Sequence, residues 1–395
     1  MRKNIGVFFG SRNPEHDVSI ITGQLIISGL KKLDYAVYAV YLDKQGKWYL
    51  GEQFSHLGQF TDKSSSFKER DTEWNLDLRE SQGKLVFKKK GFRGETITVD
   101  LAFPAFHGQN GEDGTFQGLC ELLNVPYVGC DVASSAVTMD KVITKLLYKA
   151  SNIPTTTFLS YTKEEWKSDI KKTYLEDVAK NLSFPVIVKP ARLGSSIGIS
   201  KAKNEKELEF ALEVAFHYDE KVIIEVCVGN LMDVTCAVIG NEQPIPSLLQ
   251  ESVFADDLFS YEDKYLEDGG AQLGNAQNSI VIPARLDETT TKQIQNIAMQ
   301  TYKLIGCSGI ARVDFLYDKQ TKKIYANEVN TLPGTLYHHL WKKSGIDFPE
   351  LLTKLISYAE KKYEKKKEYT HTFTSDLLKK ANAVKLQVKG GRISG

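Results

Sequence analysis

Cysteine is scarce, and its arrangement excludes two classes at once. The 395-residue chain has five, Cys120, Cys130, Cys227, Cys236 and Cys307. No two stand as C-x-x-C and the number is odd, which argues against a zinc site and against a disulfide framework. A reducing compartment fits. An excess of one charge is lacking too. The 51 Lys+Arg against 50 Asp+Glu leave no overall field to draw the chain onto nucleic acid or an anionic membrane. No apolar run reaches the ~18–20 residues of a membrane span. The run that follows Arg2 and Lys3 is too brief for the hydrophobic part of a signal peptide and reads as a buried strand. The Walker A spacing is absent, and so are the HRD and DFG signatures of kinases. The expectation is a cytoplasmic protein with no nucleic-acid or membrane partner, built from two or three domains of ~100–200 residues.

What is present alternates strands and helices. Asn4–Gly10 reads as a strand, Val18–Leu33 as a helix and Ala36–Leu42 as a second strand. That order suggests a right-handed parallel βαβ unit. Asp43–Leu50 looks like a hairpin excursion, residues 52–95 have no legible period, and Val99–Phe106 returns to a strand. A glycine-rich loop leads into a helix at Thr115–Leu123, and the pattern from Asp131 to Ala150 predicts one long helix. Phe184–Pro190 is a strand that runs into a glycine–serine loop. Asn204–Tyr218 is a helix that Asn204 and Glu207 could open as a capping box. Val222–Val228 and Asp233–Ile239 read as strands, and Asp287–Leu304 and Phe348–Lys362 as helices. Ser252–Asn275 is a long acidic, aromatic loop without apolar period, of the kind that forms lids or binding loops.

Three segments carry chemistry. Ile310–Tyr317 and Lys322–Asn330 read as a hairpin. A turn near Thr321 sets Asp314 opposite Glu328 and Arg312 opposite Asn330, all on one face. Two carboxylates that close repel unless a cation lies between them, and an all-oxygen set suits Mg²⁺ bridged to phosphates. A solvated face with cross-strand ion pairs fits the same pattern. The second segment, Lys189-Pro190-Ala191-Arg192-Leu193-Gly194-Ser195-Ser196-Ile197-Gly198, ends a strand in lysine and continues in small residues. Free N–H groups and an ammonium suit an anion, although a plain flexible turn fits as well. The third, His107 to Gly118, follows a strand and opens a helix, which is where ligands sit in open α/β sheets. His107 is a candidate ligand contact with Glu112 to orient it, or a structural histidine. Glu15 in the Asn13–Asp17 loop could hold an ammonium or simply complement a helix N-terminus. Lys264 and Tyr265 are candidate lid residues.

Taken in order, the stretches PEHDVS (14–19), FPAFHGQNGEDGTFQG (103–118), MDK (139–141), VIVKPARLGSSIGIS (186–200), KY (264–265), GIARVDFLY (309–317) and NEVNTLPGT (327–335) make the chain resemble the D-alanine–D-alanine ligase family from about residue 4 to 359. The resemblance implies an α/β (α+β overall) ATP-grasp fold. Its parts would be an N-terminal doubly wound parallel sheet at residues 1–132, a central subdomain at 133–226, a C-terminal subdomain at 227–370 with a lid at 252–275, and an extra basic tail at 371–395. It further implies ATP as cosubstrate, two Mg²⁺ ions that Mn²⁺ could replace, small amino-acid substrates and a homodimer. In that reading Lys141, Lys189, Ser195, Ser196 and Lys264 lie along ATP, Glu225 lies by the adenine, and Asp233 takes the ribose position with a one-residue slip. Asp314, Glu328 and Asn330 hold the metal. Arg312 and the Gly334 backbone meet the transferred phosphate, Glu15 holds the first ammonium, Ser195 and Tyr265 connect to it, and His107 lies near the first substrate. The Lys264-Tyr265 pair looks like the lid of dipeptide-forming ligases rather than of depsipeptide-forming ones. One position departs from the family: the residue expected to bind the second substrate's carboxylate is usually a small hydroxyl, and here it is His339. A different second substrate (D-lactate, D-serine or another amino acid) and a non-catalytic nucleotide-binding relative are the competing readings.

Overall fold

In the computed structural model the described residues are 3–61, 73–91, 94–167, 171–253 and 280–378. They form three sheets in chain order. The first has seven strands: β1 (Asn4–Gly10), β2 (Ala36–Leu42), β3 (Trp48–Leu50), β4 (Glu73–Leu76), β5 (Leu85–Lys89), β6 (Thr96–Val99) and β7 (Leu101–Pro104), in spatial order 6-5-4-3-2-1-7. β1 is parallel to both β2 and β7, as the βαβ reading required. The sheet is parallel only there. The Asp43–Leu50 excursion starts an antiparallel meander, β2 through β6, that the expected doubly wound parallel sheet did not include. Both faces are covered. Ile5, Val7 and Phe9 pack with helix His16–Leu30 on one side, and Phe8 packs with Phe116 and Cys120 on the other.

The predicted long helix at 131–150 is two, Val132–Met139 and Lys141–Ala150. Asp140 is extended (φ −96°, ψ 103°), and its carboxylate accepts the N–H groups of Val142 and Ile143. A competent N-cap inside an apolar period overrides the period.

The second sheet has order 10-9-11-8, from β8 (Phe158–Thr162), β9 (Val186–Pro190), β10 (Ser200–Ala202) and β11 (Lys221–Val226). It is antiparallel and backed by helix Glu205–Tyr218, whose Leu208, Ala211, Leu212 and Ala215 are buried. Asn204 caps that helix through the Glu207 N–H, but Glu207 returns to the Lys203 N–H, one residue earlier than a capping box requires. The third sheet, order 14-13-12-15-16, contains β12 (Leu231–Gly240), β13 (Ile245–Ser252), β14 (Ile280–Val281), β15 (Gly309–Asp318) and β16 (Ile324–Asn330). Helix Glu288–Ile305 covers it, and helix Phe348–Lys366 turns back onto the first sheet's core. No helix among the described residues is long and apolar enough to cross a membrane. The lid segment from 254 and the proposed tail strand at 383–388 lie outside the described residues.

Candidate active site

Glu15 sits where three parts of the chain converge. It is the N-cap residue of helix His16–Leu30 but makes no side-chain cap bond, so its carboxylate is turned elsewhere. Asn13 shapes the turn by accepting the Glu15 N–H and by donating to the Gln109 carbonyl. The Glu15 carboxylate is buried and accepts the Ser195 hydroxyl from the glycine–serine loop. Two glycines make room for it. A Cβ on Gly108 (φ +68°) would lie 2.5 Å from Glu15 Oε2, and one on Gly194 would lie 3.0 Å from Oε1. Ser195 and Ser196 hold left-handed backbone (φ 53° and 57°), a cost that non-glycine residues carry mainly at functional loops.

His107 is buried beside this point. Its Nε2 meets the Thr22 hydroxyl at 2.8 Å, and that hydroxyl already accepts the Thr335 N–H. The hydroxyl keeps its own hydrogen for Nε2, and the imidazole also bonds the Leu332 backbone, which suits a neutral ring with its hydrogen on Nδ1. Burial, and then repulsion from Arg312, push the imidazole's pKa down to about 4. Glu112 does not orient the imidazole, as the spacing suggested. Its carboxylate accepts the N–H groups of Gly108 (2.8 Å) and Leu332 (3.3 Å), tying the HGQNGEDG loop to the segment after β16. Burial, and then the neighbouring Glu15, raise the Glu112 carboxyl to about 8.

The β15–β16 hairpin has the expected register, with Asp314 opposite Glu328 and Arg312 opposite Asn330. Val313, Phe315 and Val329 fill the core on the other face. Arg312 grips Asp314 through Nε, which donates to Oδ1 at 2.8 Å and Oδ2 at 3.1 Å, and through Nη2, which donates to Oδ2 at 2.7 Å. Thr235 and Asn330 also donate to Asp314. The guanidinium lies 5.0 Å over the Tyr337 ring. Tyr337 closes a left-handed run with Thr335 and Leu336 directly after Gly334. A bulge after Asp314 leaves Asn327 without a partner in the ladder and brings its side chain to 3.4 Å from Lys189 Nζ. Asp233 lies on β12 two residues before Thr235, on the same strand face.

The lysines arrive from the middle of the chain. Lys141 Nζ donates to the Leu193 carbonyl (2.8 Å) and stands 3.4 Å from Glu328. Lys189 pairs with Glu225 at 2.6 Å, and Glu225 pairs also with Lys145 at 2.5 Å. The sequence reading did not single out Lys145. Its signal was available, because it stands four residues after Lys141 on the same helix face. Two adjoining cavities share Glu112, Glu328 and Asn330. One is lined further by Lys141, Leu193 and Gly194, the other by Glu15, His107, Ser195, Arg312 and Gly334. The hairpin's polar edge is thus the wall between a chamber reached by Lys141 and one that holds Glu15 and Arg312. Lys264 and Tyr265 lie outside the described residues.

His339 is set apart from that cluster. Its Nε2 meets Gln250 Oε1 at 2.7 Å, and its ring packs on Tyr337. Its Nδ1 and the Gln250 amide nitrogen are buried without a hydrogen-bond partner among the described residues, and such orphans call for a ligand or water. Burial, and then His338, lower its pKa to about 4. A histidine whose folded pKa is depressed below its unfolded value contributes stability that is full above the unfolded pKa and is lost as pH falls toward the folded one. For His107 that window runs from about 6.5 down to about 4. Between pH 7.5 and pH 5 the wild type should therefore lose about 2 kcal/mol more stability than His107→Gln, a difference read from urea midpoints that cancels the opposite contribution of Glu112. An identical fall in both proteins would contradict a neutral buried His107.

A mixed N-terminal sheet followed by two antiparallel sheets, with lysines on one and a carboxylate–amide edge on the other, is the ATP-grasp arrangement, so the chain is an enzyme of that class. Residues 4–130 match the family described as D-ala D-ala ligase N-terminus, and residues 147–357 match D-ala D-ala ligase C-terminus. The D-alanine–D-alanine ligase of Thermosipho melanesiensis is 39% identical over 364 residues, 92% of this chain and 95% of that protein. That of Caldicellulosiruptor bescii is 38% identical, covering 93% and 98%. Among solved structures, the D-alanine–D-alanine ligase from Coxiella burnetii superposes with a TM-score of 0.77 at 30% identity, covering 93% of this chain and 96% of that one. The VanG D-Ala:D-Ser ligase from Enterococcus faecalis superposes with a TM-score of 0.75 at 31% identity, covering 91% and 100%. The chain belongs to the D-alanine–D-alanine ligase family.

Proposed function

We propose that this enzyme joins two D-alanine molecules into D-alanyl-D-alanine at the expense of ATP, for peptidoglycan precursor synthesis. The observation that carries this reading is the pair of chambers sharing Glu328 and Asn330, one reached by Lys141 and the other holding the Glu15 carboxylate and Arg312. Lys141 and Lys189 would lie along the nucleotide phosphates as point charges. Glu15 would take the first D-alanine's ammonium, which leaves its carboxylate directed at Arg312 and the Gly334 backbone. That carboxylate attacks the γ-phosphate to give an acylphosphate and ADP. The second amine then attacks the acyl carbon and phosphate departs. Arg312 stabilises charge on the transferred group in the first step and on the carbonyl oxygen in the second. Asp314, Glu328 and Asn330 present two carboxylates and an amide on one sheet face, a donor set that fits Mg²⁺ shared with phosphate oxygens. The metal would supply charge neutralisation at those oxygens.

The second substrate rests on His339. With its Nε2–H given to Gln250 Oε1, the neutral imidazole leaves Nδ1 as an acceptor for a hydroxyl, and the unsatisfied Gln250 amide is the donor for a carboxylate, so the position brings no charge. The test is ATP-dependent phosphate release with D-alanine, D-serine and D-lactate, singly and paired, with products identified by mass. Turnover with D-alanine alone to the dipeptide is expected. Turnover only when D-serine or D-lactate accompanies D-alanine would replace the dipeptide reading with a mixed ligase and make His339→Ser the next variant.

A further inference from the structure

A buried charge cluster surrounds Glu225 on β11. Lys145, 1% exposed, places Nζ 2.5 Å from Glu225 Oε1 and bonds the hydroxyls of Thr155 (3.0 Å) and Thr156 (2.9 Å). Thr156 donates in turn to the same Glu225 oxygen at 3.0 Å. Lys189 Nζ takes the other oxygen, Oε2, at 2.6 Å. The carboxylate is thus divided, one oxygen to Lys145 and Thr156 and the other to Lys189. Burial works against every charge here, yet the two lysines hold Glu225 well below the ordinary carboxyl range. One anion between two cations leaves a single positive charge in surplus.

That surplus decides what Lys189 is able to do. Were Lys189 the only cation on Glu225, the two would form a closed neutral pair. Moving Lys189 toward a phosphate would then strand a buried carboxylate, a costly state. With Lys145 and Thr156 fixed on Oε1, Glu225 keeps a full counter-charge whichever way Lys189 points. Lys189 already has a second direction to turn, toward Asn327 at 3.4 Å and the field of Glu328 and Asp233. Lys145 also lies in the field of Glu328, but it is held by two threonine hydroxyls, and burial, opposed by Glu225, pulls its pKa down. We propose that Lys145 is a positioning residue that neutralises Glu225 so that Lys189 is released to bind the nucleotide phosphates. This rests on the reading of Lys189 as a phosphate contact given above.

The test measures dissociation constants of ADP and of adenosine for each variant. The ratio of the adenosine constant to the ADP constant isolates the phosphate contribution and cancels changes in the adenosine pocket. Lys145→Met should lower that ratio at least about tenfold, the scale of one charge-assisted contact. Lys145→Gln, which keeps a donor toward Glu225 but no charge, should do the same and serves if the methionine variant folds poorly. Adding Glu225→Gln to Lys145→Met should restore the ratio, because Lys189 then has no carboxylate to hold it. A purely structural role for Lys145 predicts no such restoration. The proposal is overturned if Lys145→Met and Lys145→Gln keep the wild-type ratio while Lys189→Met loses it, or if the double variant stays low. If Lys189→Met itself leaves the ratio unchanged, it is the phosphate-contact reading that fails, and this one with it.

Discussion

Replacing Arg312 with methionine is expected to slow phosphate release by at least about a thousandfold, the upper range for losing one preorganised donor at a site of developing charge. The guanidinium is 4% exposed, clamped by Asp314, seated over Tyr337, and lines the same cavity as Glu15, His107 and Gly334. It therefore needs little reorganisation when charge develops beside it. The same clamp carries a structural cost, since Asp314 loses its buried partner, a change worth roughly 3–5 kcal/mol. Arg312→Lys separates the two effects. It keeps a cation near Asp314 but loses the fork geometry, so the fold should hold while the rate still falls about a hundredfold. Steady-state rates alongside urea midpoints decide it. A folded Arg312→Lys enzyme within tenfold of wild type would remove Arg312 from the chemistry.

Glu328→Gln should have a comparable effect by another route. Glu328 lies on the wall shared by both chambers, opposite Asp314 in the ladder and 3.4 Å from Lys141. The substitution preserves shape and removes one of two carboxylates facing the expected metal position. Turnover at low millimolar Mg²⁺ should drop about a hundredfold or more, and the apparent Mg²⁺ requirement should rise about tenfold or more. A Mg²⁺ titration of ADP formation reads both. Unchanged turnover with an unchanged titration would refute the metal assignment and favour a non-catalytic nucleotide-binding relative.

How much of this was legible depended on whether a segment's signal was local. The β15–β16 hairpin was readable to the residue, because Arg312, Asp314, Glu328 and Asn330 alternate with Val313, Phe315 and Val329 around one short turn. Its bulge at Asn327 was not, since a bulge leaves no mark in an alternating pattern until the partner strand is placed. The break at Asp140 was masked by an apolar period that runs on either side of it. β13 was missed because Pro246 stands inside it, and a proline argues against a paired strand. β8 carries its buried residues at Phe158 and Tyr161, which are not in period-2 spacing. Within the site, each loop was recognised, but the bonds among loops were not. That Thr22 serves both His107 and the Thr335 N–H, or that Glu112 holds Leu332, follows from a tertiary arrangement in which residues hundreds apart meet. The resemblance to a known family supplied that assembly where composition and period could not.

The first sheet does not own its core. Ile5, Val7 and Phe9 share one cluster with Leu351, Leu352, Leu355 and Ile356 of helix Phe348–Lys366, and Thr22 is bonded to a residue 313 positions later. A ribosome delivers the first group early and the second only after most of the chain has been made, an interval on the order of tens of seconds at ~5–20 residues per second. Until then one face of β1 has helix His16–Leu30 but not its outer cover. The newborn N-terminal half therefore leaves apolar surface uncovered until the last helix is made, and the completion of this core waits on the end of synthesis.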